Sequence, residues 1–409
     1  MSQSGVQVSG VQVPGVQVPG LHRDWIDSTA FRIVQTLQTS GHETYLVGGC
    51  VRDLLVGIHP KDFDIATNAM PDQVRKKIPY SFIIGRRFRL VLVKRGLSQF
   101  EIATFRRSPG PEDLENDLSP MGDNFYGTVE EDARRRDFTI NAIFYDPIKD
   151  QILDFCNGVA DIQSRTLRMI GSAKARLLED PIRILRAVRL SHKLGFQFDE
   201  EMREGLLQTS YSLKEAALPR RREEYLKILK LDDPLRTFYE MYDLGVLEHA
   251  LPSLHALFQD SKKAEVFTVY FRQLQDLGRA KMDPIELFTF FLFAYAKALS
   301  SEENLNSEKL GEDQRFNSFM KDELGMFKQE SADFLNALEF IPALTRFESY
   351  AKRGTRRKQA FLNNEYFYIS LKLGYWGREL STPNYLFWMS EKERTSHVPA
   401  EQGPDKKTQ

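Results

Sequence analysis

Asp62 and Asp64 are separated by a single apolar residue, Phe63. On a strand, residues i and i+2 point to the same face, so two carboxylates would project side by side. Like charges that close repel unless something neutralises them, and a divalent cation does so directly. The same pair also fits a solvated turn, so the spacing alone leaves both readings open. Just upstream stand Gly48 and Gly49, between the apolar run Tyr45-Leu46-Val47 and a short helical pattern from Val51 to Val56. Backbone amides at such a turn, unobstructed by Cβ, can cradle phosphate oxygens. Arg52, one turn further on, could pair with the same phosphates. Glu101 sits in Phe100-Glu101-Ile102, with its apolar neighbours facing the other way. If that strand lies beside the Asp62/Asp64 strand, an acidic triad forms. Three such acids fit two-metal phosphoryl transfer, in which Mg²⁺ activates a hydroxyl and grips a triphosphate.

Two basic stretches extend the pattern. Arg134-Arg135-Arg136-Asp137 runs straight into Phe138-Thr139-Ile140-Asn141. Arg136 can bind phosphate, while Asp137 and Asn141 can hold a ribose hydroxyl or backbone. In Glu179-Asp180-Pro181-Ile182-Arg183, Asp180 and Arg183 share a helix face at i, i+3, and Glu179 meets Arg183 at i, i+4. A carboxylate and a guanidinium held together present acceptor and donors, enough to read the edge of a base. Arg186 and Arg189 continue a basic face suited to nucleotide or RNA phosphates.

The elements that must carry these residues follow from periodicity. Residues 5–20 repeat a Gly-Val-Gln-Val unit with interspersed Pro, and 1–22 read as a disordered leader. Ala30, Ile33, Val34 and Leu37 form a helical stripe. Strands are expected around 45–47, 63–65, 82–84, 90–93, 100–104 and 152–155, with helices at 130–136 and 139–144. Residues 108–124, rich in Pro, Gly and acids, read as a loop. Beyond residue 170 the pattern turns helical, with helices expected at 176–194, 222–229, 238–247, 266–277, 285–299 and 334–344, and a polar connection at 300–314. The stripe Phe288, Phe290, Phe291, Phe293 and Tyr295 reads as core. The expected class is α+β: a catalytic head with a small mixed sheet at 23–170, then a helical neck at 171–235, a helical body and tail at 236–390, and a disordered tail at 391–409.

Bulk composition is ordinary for a soluble globular protein. The 409 residues are 42% hydrophobic and 28% charged, with net charge −1, so nucleic-acid contact must use local basic patches. Two cysteines exclude a disulfide framework and suit a reducing, cytoplasmic compartment. The Phe-rich run at 287–296 is too short to span a bilayer, and no membrane partner is expected.

Taken in order, Leu46-Val47-Gly48-Gly49-x-Val51-Arg52-Asp53, Asp62-Phe63-Asp64, Glu101-Ile102-Ala103-Thr104-Phe105-Arg106, Arg135-Arg136-Asp137-Phe138-Thr139-Ile140-Asn141-Ala142 and Glu179-Asp180-Pro181-x-Arg183 resemble the class II tRNA nucleotidyltransferase and bacterial poly(A) polymerase family. The resemblance spans residues 40–235. It implies a nucleotidyltransferase head, two Mg²⁺ ions on Asp62, Asp64 and Glu101, ATP as substrate, and Asp180 with Arg183 reading the incoming base. Ile84-Gly85-Arg86-Arg87-Phe88-Arg89-Leu90 resembles the polymerases, and 108–124 lacks the Tyr-rich segment usual in CCA-adding members. Against this, Pro219-Arg220-Arg221-Arg222-Glu223-Glu224 is similar to the neck of the CCA-adding members. The expectation is a poly(A) polymerase acting on RNA 3′ ends, with CCA addition to tRNA as the alternative. A non-catalytic RNA-binding relative is disfavoured because all three acids are present.

Overall fold

In the computed structural model, residues 21–85, 89–96, 98–109, 125–273, 282–300 and 305–396 are described. The repeat leader, Arg86-Arg87-Phe88, most of 108–124 and the tail beyond 396 lie outside them. The chain divides into two compact units. The first runs to Arg183 and takes in Leu190–Thr209; the second comprises Ile184–Arg189 and the residues from Ser210 on.

The first unit is built on a seven-stranded mixed sheet. Its strands are β1 (Thr44–Val47), β2 (Phe63–Thr67), β3 (Ser81–Ile84), β4 (Leu90–Arg95), β5 (Ser98–Thr104), β6 (Ile143–Asp146) and β7 (Gln151–Asp154), in the order β3-β4-β5-β2-β1-β6-β7. β2 and β5 pair in parallel and the remaining neighbours are antiparallel. Helix α1 (Ser28–Thr39) buries the stripe Ala30, Ile33, Val34 and Leu37 and is capped by Asp27, whose Oδ1 accepts from Thr29 N at 2.6 Å. Helix α2 (Gly49–Val56) follows β1 directly and ends at Gly57 in the left-handed region. Helix α3 (Pro71–Lys77) covers one face of β3 and β4.

The helix expected at 139–144 is a single 3₁₀ turn, Thr139–Asn141, followed by β6. Every residue of β6 is buried. A strand covered on both faces shows a continuous apolar run, which periodicity does not separate from a buried helix. The long helix expected at 176–194 is two: α6 (Ala173–Glu179, after α4 at Val129–Arg134 and α5 at Gly158–Gln163) and α7 (Ile182–Leu194). Pro181 disfavours a helical residue before it, and Asp180 sits extended at φ −145°, ψ 92°. Helix α8 (Glu200–Thr209) packs on α6, where Gly205 approaches Ala173 and Leu177.

The second unit is helical. Helix α9 (Leu218–Leu229) starts its chain of helices, and α10 (Pro284–Leu299) is its most buried element. The stripe Phe288, Phe290, Phe291, Phe293 and Tyr295 is at most 4% exposed. Phe291 packs against Phe238, Phe267 and Phe271. The helix expected at 238–247 is split into Pro234–Asp243 and Val246–Ala250 by Gly245 at φ 66°. Part of the expected polar connection at 300–314 is helical, as Ser307–Glu312, and the helix Thr382–Ser396 continues past residue 391. Among the described residues no helix is long and apolar enough to cross a membrane.

Candidate active site

The parallel pairing of β2 with β5 sets Asp64 directly opposite Glu101. The acids thus come from adjacent strands and share one face, which the sequence could state only conditionally. Asp62 lies one residue before β2. All three side chains reach solvent. The Asp64 carboxyl is nevertheless pushed up to about 6, first by loss of solvation among its neighbours and then by Glu101; Asp62 adds to this, while Arg136 and Arg52 oppose it. The repulsion from Glu101 and Asp62 is the part of this shift that a cation would relieve.

Among the described residues no three His, Cys, Asp or Glu groups converge as a ready cage. Mg²⁺ is usually held by one or two carboxylates together with substrate phosphates and water, so the Asp64–Glu101 pair, with Asp62 near enough to raise the Asp64 carboxyl, fits it. A proton on Asp64 would compete with that cation. The Mg²⁺ concentration giving half-maximal activity should therefore rise as pH falls through about 6, with saturating Mg²⁺ restoring the rate. A half-saturation point indifferent to pH across that range would exclude Asp64 as a ligand.

Gly48 occupies φ 78°, ψ −132°, a conformation open to glycine, and caps α2. A Cβ there would lie 3.4 Å from Arg136 Nη1 and 3.6 Å from Asp64 Oδ2. The glycine turn, the second acid and Arg136 therefore meet at one point. Arg136 is held there by Asp132, whose Oδ2 accepts from Nη2 at 2.9 Å and from Nε at 3.2 Å. Its guanidinium also lies 5.1 Å from the Phe144 ring centroid.

Arg52 is placed differently from the phosphate clamp expected of it. It is 5% exposed, and it donates from Nη1 to Asn141 Oδ1 at 2.6 Å and from Nη2 to Asp53 Oδ1 at 2.6 Å. Asn141 Nδ2 donates in turn to Asp137 Oδ1 at 3.0 Å, and Lys193 Nζ donates to Asp53 Oδ2 at 2.8 Å. Arg52, Asp137 and Asn141 thus belong to a polar network beneath the glycine turn, joining α2, the 3₁₀ turn and the end of α7.

Asp180 and Arg183 flank the break between α6 and α7. Arg183 Nη1 donates to Glu179 Oε2 at 2.9 Å, as the spacing predicts, and to Arg176 O at 2.6 Å. Arg176 pairs with Glu179 and donates from Nη2 to the carbonyls of Arg135 and Arg136 at 2.6 and 2.9 Å. The base-reading candidates are so tied to the Arg136 segment by a residue that no motif flagged. Arg186 and Arg189 belong to the second unit, and the structure gives them a protein partner there. Arg189 Nε donates to Glu224 Oε2 at 2.6 Å, and Arg186 lies 4.0 Å from Glu224 Oε1. Sequence reasoning missed the anchoring roles of four residues, Asp132, Arg176, Lys193 and Glu224. Asp132, four residues before Arg136, left a readable spacing, and Glu224 stood in the neck motif with no sign of its partner.

Residues 44–168 match the family described as the poly A polymerase head domain. Residues 195–258 match that described as a probable RNA- and SrmB-binding site of polymerase A. The two matched stretches are thus similar to domains of poly(A) polymerases. Poly(A) polymerase I of Haemophilus influenzae is 35% identical over 272 residues, 65% of this chain and 60% of that protein. The CCA-adding enzyme of Lactobacillus helveticus is 38% identical over 199 residues, 49% of each. The Thermotoga maritima CCA-adding enzyme, solved with tRNA, shares the fold at a TM-score of 0.56 and 21% identity, covering 93% of this chain and 85% of that one. The chain thus spans less than two thirds of the length of the curated relatives it matches. The expectation that it stands closer to the poly(A) polymerases is not carried by these likenesses, since both activities occur among relatives of similar identity.

Proposed function

We propose that this chain adds nucleotides to RNA 3′ ends without a template. The observation that carries the reading is the register of Asp64 with Glu101 on adjacent strands, beside the glycine turn and Arg136. In this reading the RNA 3′-oxygen forms a bond to the α-phosphorus of a nucleoside triphosphate, the bond to the bridging oxygen breaks, and diphosphate leaves. Asp62, Asp64 and Glu101 would hold the two Mg²⁺ ions implied by the family, which supply charge neutralisation and a lowered hydroxyl pKa when bound. The amides at Gly48 and Gly49 cradle the triphosphate, with Arg136 adding positive charge. Arg52 acts from below by fixing Asn141. Asp180 and Arg183 present acceptor and donors to the incoming base, with Glu179 setting the orientation of Arg183.

For the product, likeness to CCA-adding enzymes in both sequence and fold supports addition of C, C and A to tRNA better than a long A tail. The A-tail reading keeps observations of its own: the 84–90 sequence and the 272-residue match to a poly(A) polymerase. Purified protein with Mg²⁺ should be given each nucleotide singly and in mixture, on a tRNA lacking CCA and on an unrelated RNA. Addition that stops after C, C and A on the tRNA carries the first reading; long A tails on both RNAs carry the second. Failure to extend either RNA with any nucleotide overturns the proposal.

A further inference from the structure

Residues directly opposite each other on neighbouring strands share a face of the sheet. The register sets Phe82 opposite Leu92, Leu92 opposite Glu101, and Glu101 opposite Asp64. Phe82 and Leu92 therefore stand in one row with the acids, on the same face. By alternation Ile84 and Lys94 share that face. The other face of these strands is core, with Val91, Val93, Phe100 and Ile102 at most 2% exposed. On the acid-bearing face the apolar groups are open: Phe82 is 55% and Ile84 38% exposed. Tyr80, 72% exposed, enters β3 at φ 57°, a costly conformation for a bulky residue. The Arg95 guanidinium lies 4.9 Å from the Tyr80 ring centroid, and alternation along β4 sets that pair on the opposite face from the exposed Lys94. The result on the acid-bearing face is an apolar shelf of Phe82, Leu92 and Ile84 with Lys94 on the same face, Phe82 roughly 10 Å from Glu101 at two strand spacings.

We propose that this shelf stacks the unpaired bases at the 3′ end of the RNA acceptor. The inference rests on the nucleotidyl-transfer reading and adds the place of the second substrate. In-line displacement puts the entering oxygen on the side of the α-phosphorus opposite the leaving diphosphate. The glycine turn that cradles phosphates follows β1, on one side of β2; the shelf lies across β5, on the other. The acceptor must approach from the shelf side. Bases offer flat apolar faces to Phe82, and their phosphates match Lys94.

Phe82→Ala should raise the KM for RNA roughly tenfold, leave the KM for the nucleotide unchanged, and be rescued by Phe82→Tyr. An unchanged RNA KM, or a rise in the nucleotide KM instead, overturns the proposal. A second readout needs no turnover. Emission from Phe82→Trp, relative to the unsubstituted protein, should be quenched on titration with a short single-stranded RNA ending in a 3′-deoxy nucleotide. Absence of quenching also overturns it. Quenching in a protein that extends no RNA would retain the shelf and refute the nucleotidyl-transfer reading.

Discussion

Asp64→Asn lowers the rate of nucleotide addition by on the order of 10³-fold or more while leaving the protein at least as stable. The loss follows from removing a ligand whose metal supplies several kcal/mol of transition-state stabilisation. The stability half follows from the sign of the Asp64 shift. Its carboxyl is raised to about 6, so the fold disfavours the charged form, and the group opposes folding increasingly as pH rises from the unfolded value through 6. A neutral isostere removes that repulsion from Glu101 and Asp62. Turnover in Mg²⁺ and thermal melting above pH 7 check both halves. A variant that melts lower and loses activity in proportion would make Asp64 structural; substantial residual turnover would remove it from the metal site.

Glu224→Ala destabilises the second unit by about 3 kcal/mol, the low end for breaking a buried pair, since its partners keep some solvent. Glu224 is 3% exposed, with Arg189, Lys227 and Arg186 around it. Burial alone would raise its carboxyl. Arg189 and Lys227 outweigh that and hold it below the usual glutamate range. A depressed acid contributes stability above its unfolded pKa and loses it as pH falls through the folded value. The wild-type protein should therefore lose more stability on acidification below about pH 4.5 than Glu224→Ala does. Urea unfolding at neutral and acid pH measures both effects. Equal midpoints for the two proteins at neutral pH would show that Arg189 finds other support.

Much of the candidate site was legible in the sequence because its logic is local. Asp62 and Asp64 are two residues apart, Gly48-Gly49 closes a strand, and Glu179 meets Arg183 across one helical turn. What was not legible was which long-range partner each charged group would meet. Nothing in the chain around Arg52 announces Asn141, 89 positions away, or shows that a motif arginine is committed to the protein beneath the turn. Arg189 reads as part of a basic helix face until Glu224 is found buried against it. The start of β6 reads as the end of a helix at 139–144 because Ile143 and Phe144, like the rest of the strand, are buried on both sides and leave no alternation to read. The Phe82 shelf is likewise a product of register: two strands that look like ordinary hydrophobic sheet become a surface only once Leu92 is set against Glu101.

The most direct test of the account is extension of a single RNA in Mg²⁺ with no template present, once with a free 3′-hydroxyl and once with a 3′-deoxy end, following diphosphate release. The account predicts diphosphate in step with lengthening of the hydroxyl-ended RNA, and neither product from the deoxy-ended RNA nor after chelation of the metal. Diphosphate released at the same rate from both RNAs, or extension that persists without divalent cation, would contradict it.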